Sequence, residues 1–151
     1  MSNALLRLLA GAALLAAIVV RAENAPAKDR ATREDYAFST EGSVTSLPET
    51  TRGTLQFSLR ALNGLKIHPE APLELKFTSS DGLVVATPKL TRSDATEPEP
   101  GLLRFEAPVD ATRAGPQRVD VELSFFLCTE NWCQRMTDRG TVAVEVTPPP
   151  K

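Results

Sequence analysis

The sequence has one histidine, two cysteines, one tryptophan and one tyrosine among 151 residues. Each scarcity removes a class of chemistry. No motif places a serine beside the lone His68, so no Ser/His/Asp triad can be assembled. Next to Pro69, His68 reads as a partly exposed loop residue. Two cysteines and one histidine fall short of the four ligands of a structural zinc site, so no metal is expected. No glycine-rich phosphate loop is present, and no cofactor is expected. With 17 Lys and Arg against 19 Asp and Glu, there is no basic excess to hold nucleic acid. Aromatics make up only 5% of the chain, so the core must be built mostly from Leu, Val and Ala. No convincing helical pattern follows residue 22, and 12 prolines against 8 glycines suit a loop-rich β-protein.

Long hydrophobic runs are missing with one exception. Residues 8–20 are thirteen consecutive apolar or glycine residues, short of the ~20 needed to span a bilayer. Arg7 precedes the run, and Val20-Arg21-Ala22 supplies a cleavage pattern. Residues 1–22 therefore read as a secretory signal peptide, with an uncleaved N-terminal anchor as the alternative. Export implies an extracytoplasmic, periplasmic location. It also places the two cysteines where a disulfide persists.

Residues 23–35 are polar and aperiodic and read as a flexible lead-in. Beyond them, period-two alternation marks strands. Leu55, Phe57 and Leu59 alternate with Gln56, Ser58 and Arg60. Leu73, Leu75 and Phe77 form a second set. Val119, Val121, Leu123 and Phe125 form a third, and Val142, Val144 and Val146 a fourth. Residues 36–47, 65–68, 83–87 and 102–107 are shorter candidates. Residues 97–101 and 108–116 read as loops, and 148–151 as a disordered tail. The pattern predicts one all-β domain over residues 36–147, an antiparallel sandwich of about seven strands. The core is expected at Leu55, Phe57, Leu59, Leu75, Phe77, Val121, Leu123, Phe125, Val142 and Val144.

What remains for chemistry is Cys128-Thr-Glu-Asn-Trp-Cys133. Four residues between two strand-like runs suit a hairpin tip. Cysteines facing each other across it can meet the Cα separation of roughly 4.4–6.8 Å that a disulfide needs. Strand parity puts Cys128 on the face opposite Val121, Leu123 and Phe125, the outer face. Closing so short a loop stabilises by only roughly 2 kcal/mol on the chain-entropy model. Two roles stay open: a redox centre, and a structural staple in a binding or scaffold module. Trp132 serves either as a contact point or as a shield folded over the pair. Arg135 and Arg139 favour a thiolate while Glu130 and Asp138 oppose it.

The segments Val121-Glu-Leu-Ser-Phe-Phe-Leu-Cys128 and Trp132-Cys133, with the valine-rich run after them, resemble the closing hairpin of a known module. Gly64 to Pro72 leading into Leu73-Glu-Leu-Lys-Phe77 is similar to an earlier segment of it. Pro88, an acidic loop, Gly101 and a strand ending at Val109 follow the same order. The module is the immunoglobulin-like N-terminal domain of the thiol:disulfide interchange protein DsbD. The resemblance implies an immunoglobulin-like sandwich with no cofactor, in which the cysteines themselves carry the electrons. It implies that Cys128 and Cys133 cycle between dithiol and disulfide, exchanging with a thioredoxin-like partner. A monomer is expected. The chain departs from the family pattern at residues 97–100, Glu-Pro-Glu-Pro, where the family carries an aromatic cap.

Overall fold

Alternation around the cysteines folds as one long hairpin. In the computed structural model, which describes residues 29–151, β10 (Gly115–Cys128) and β11 (Cys133–Thr147) pair antiparallel from Gly115↔Val146 to Cys128↔Cys133. The expected signal peptide, and the lead-in up to residue 28, lie outside the described residues.

Nine further strands complete two sheets. They are β1 (Tyr36–Ser39), β2 (Ser46–Pro48), β3 (Arg52–Ala61), β4 (Lys66–Ile67), β5 (Glu74–Ser79), β6 (Leu83–Val85), β7 (Lys89–Thr91), β8 (Thr96–Glu99) and β9 (Leu102–Ala111). One sheet runs β1-β3-β9-β6, with β8 also on β9; the other runs β2-β11-β10-β5-β7, with β4 also on β10. Every pairing is antiparallel except β2 with β11. The fold is an all-β, immunoglobulin-like sandwich. It has more strands than the periodicity announces because the added ones, β2, β7 and β8, are three or four residues long, too short to alternate.

The facing sides of β3, β9, β10 and β11 make the core. Phe57, Phe105 and Phe125 are its largest fully buried side chains. Of the ten expected core residues, nine are buried and Phe77 is half-buried. β7 pairs β5 from Glu74 to Lys76, and the Phe77 N–H donates to the Pro88 carbonyl just before β7. Phe77 still packs on Phe57, ring centroids 5.3 Å apart.

Three expectations are corrected. Residues 108–116 were expected to form a loop, yet β9 continues through Pro108 to Ala111. The Pro108 carbonyl accepts from the Ala86 N–H. A residue's N and C=O point to the same side of a strand, so the missing N–H falls on the β6 side and leaves the β3 ladder intact. Residues 97–101 were expected as a loop, yet Thr96–Glu99 is an edge strand. All four of its residues are exposed, so it carries no alternation, and Pro98 is tolerated at an edge. The flexible lead-in is ordered from Ala31. Ala31 is buried, and its N–H and C=O bond the Gln134 side-chain amide. A single 3₁₀ turn, Arg33–Asp35, then leads into β1. No helix among the described residues is long and apolar enough to cross a membrane.

Candidate functional site: the disulfide end of the long hairpin

Cys128 and Cys133 are directly opposite in register and form a disulfide, with Cα atoms 4.1 Å apart. The next pair outward, Thr129 and Trp132, is hydrogen-bonded through the Thr129 N–H and the Trp132 carbonyl. Hydrogen-bonded and non-hydrogen-bonded pairs alternate along an antiparallel ladder, so the cysteines occupy a non-hydrogen-bonded pair, where side chains come closest. The Thr129 hydroxyl accepts from the N–H groups of Asn131 and Trp132 and shapes the tip between them.

The two cysteines are unequal. Cys128 is 8% exposed, whereas Cys133 is an exposed residue. The topology supplies the reason. Cys128 lies between two strands, since β4 pairs its other side through Lys66. At Cys133 the sheet ends, because β2 pairs β11 only from Glu145 to Thr147.

Trp132 is half-buried and packs against the hydrophobic core. Its ring therefore helps close the tip end of the sandwich. His68 donates its backbone N–H to the Phe126 carbonyl, and its Nδ1 accepts from the N–H groups of Glu70 and Ala71. It thus holds the turn that joins β4 to β5. Among the described residues, no three His, Cys, Asp or Glu side chains group to hold a metal ion.

The charges near the cysteines divide by face, which balanced counting along the sequence misses. Asp138 sits opposite Leu123 in register and shares its inward parity. There it pairs with Arg33 at 3.0 Å. Arg33 also lies over the Tyr36 ring, 4.6 Å from its centroid. The Tyr36 ring meets Phe125 edge to face, centroids 5.0 Å apart. Burial, and then the charge and hydrogen bond of Asp138, push the Tyr36 pKa up to about 12, against an opposing pull from Arg33. On the outer face, Arg139 pairs with Glu122. The Arg135 side chain, opposite Phe126 and two residues from Cys133, makes no ion pair or hydrogen bond among the described residues. The same holds for Lys66, opposite Cys128. The outer end of this sheet thus carries the disulfide, Phe126 and two unmatched cations.

No family model matches the sequence, and no curated protein matches it. Solved structures with a similar arrangement are distant. The cohesin module of a Clostridium perfringens family 33 glycoside hydrolase gives a TM-score of 0.41 at 10% identity, over 76% of this chain and 96% of that one. AggA, the major subunit of aggregative adherence fimbriae type I from Escherichia coli, gives 0.41 at 8% identity, over 74% and 93%. The Vibrio cholerae VesB protease gives 0.36 at 16% identity, over 75% of this chain and 32% of that one. Likeness this remote says nothing about activity.

Proposed function

We propose that the protein is an extracytoplasmic, periplasmic thiol–disulfide exchange module, passing electrons through Cys128 and Cys133 to or from a thioredoxin-like partner. The observation that carries this reading is the asymmetry of the bridge: one sulfur-bearing residue is exposed at a strand end and the other is covered. An incoming thiolate meets Cys133 first. Attack there breaks the Cys128–Cys133 bond, forms a mixed disulfide on Cys133 and releases Cys128 as the leaving thiolate. A second thiolate attacks the partner's sulfur in that mixed disulfide and frees Cys133. Two thiols are oxidised to one disulfide, and the protein's disulfide becomes a dithiol. The resemblance of the hairpin segments to the DsbD module supports the same assignment.

The competing reading is a binding or scaffold sandwich whose bridge is purely structural. The burial of Cys128 beneath flanking strands favours it. Reduction potential separates the two. Structural disulfides typically lie below about −300 mV, and exchange-active ones lie higher. The expected result is a potential above that value, with a Cys128→Ser variant trapping a mixed disulfide on Cys133. A lower potential and no trapped species would assign the bridge to structure alone.

A further inference from the structure

We infer that the disulfide takes its electrons from a small anionic thiol, one bearing carboxylate or sulfonate groups, seated in the groove beside Arg135. This rests on the exchange reading above and adds a substrate class to it.

An open groove of about 550 Å³ crosses the six-stranded sheet, and its charged lining is Glu74, Lys76, Glu122, Arg135, Asp138 and Arg139. Almost all of that charge is neutralised internally. Glu74 bonds Lys89 and Lys76, at 3.2 and 3.6 Å. Glu122 bonds Arg139 at 3.0 Å, and Asp138 bonds Arg33. Lys89 holds the Glu74 carboxyl below its ordinary range. Arg135 is the one charged lining residue left without a partner among the described residues. It is also the lining residue nearest the disulfide along the chain. Residues i and i+2 of a strand share a face about 7 Å apart, so Arg135 neighbours Cys133 on the outer face.

Lys66 adds a second unmatched cation on the far side of Cys128. The bridge is therefore flanked by positive charge on that face. The nearest acids in sequence are Glu130 in the tip and Glu70 beyond β4, both exposed. The groove falls within the roughly 300–1,000 Å³ usual for small-molecule sites. An anionic group on Arg135 places a thiolate carried a few bonds away beside Cys133. The reaction is the exchange written above: two such thiols give one small disulfide and the protein dithiol.

The test is a charge series of small thiols acting on the oxidised protein. The anionic 2-mercaptoethanesulfonate, the neutral 2-mercaptoethanol and the cationic cysteamine are compared at equal thiolate concentration. Two unit charges near 7 Å in water predict about a threefold rate advantage for the anion over the neutral thiol, and about tenfold over the cation, at low salt. The order should flatten at about 0.5 M salt and in an Arg135→Gln/Lys66→Gln variant, whose melting curve checks that it folds. Equal rates, or faster reduction by cysteamine, overturn the inference. So does rapid reduction by thioredoxin with no charge order among the small thiols, which leaves the exchange reading standing. Reduction by none of these reagents at potentials down to about −300 mV sinks both.

Discussion

Tyr36 is the only tyrosine in the chain, so its ionisation can be followed without interference. A tyrosine raised from the usual 10.0 to about 12 retains its proton in the fold over a range where the unfolded chain has lost it. Its contribution to stability is full below pH 10 and drains away between 10 and about 12, at up to about 1.4 kcal/mol per pH unit. Absorbance of the tyrosinate should titrate near pH 12 in native protein and near 10 in denaturant. Asp138→Asn should lower the native midpoint, but not to 10, because burial is the larger cause. A native midpoint at 10 would show that the ring is not held as described. Asp138 also marks a limit of the sequence. Residues 133–139 carry polar side chains on both faces, so alternation becomes visible only from Gly140 onward. Without that parity, Asp138 counts as a charge near the cysteines, and its inward turn toward Arg33 stays hidden.

The β10–β11 hairpin has thirteen paired rungs besides the cysteines, so backbone ladders and core burial hold it independently of the bridge. Cys128→Ser/Cys133→Ser should stay folded, losing roughly 2 kcal/mol in denaturant melts. Unfolding at room temperature would make the bridge structural. A second element is more delicate. A Cβ added at Gly53 in β3 would come within 2.8–2.9 Å of Leu47 and Val44 side chains, so Gly53→Ala should cost about 1–3 kcal/mol by overpacking. A thermal shift below one degree would show that β2 simply moves aside. The long strands were legible because one face of each is apolar and buried, which writes a period of two into the residues. The short edge strands were not. The sequence around Thr96 to Glu99 has no inward face to encode, and only hydrogen bonds to β9 make it a strand.

For the whole molecule, flanking order decides how stability is distributed. Residues 119–124 of β10 are paired on both sides, by β5 and β11, and alternate residues among them are buried. Their amides should exchange slowest, while those of β8, exposed along its whole length, should exchange within the dead time of the same experiment. Equal protection in both would contradict this layout. Two-sheet closure was legible in the strand spacing. Which strands meet was not, because pairing order depends on long-range contacts that no local pattern records. The hairpin also gives the molecule a long axis. Ala31 rests on Gln134, one rung from the sulfurs, whereas Val146 pairs with Gly115 thirteen rungs away. At about 3.3 Å per residue that separation is about 40 Å. A tether joined at residue 29 therefore keeps the disulfide tip against its mooring, and one joined after residue 147 swings it outward, so the choice of attachment point sets how far the sulfurs can reach.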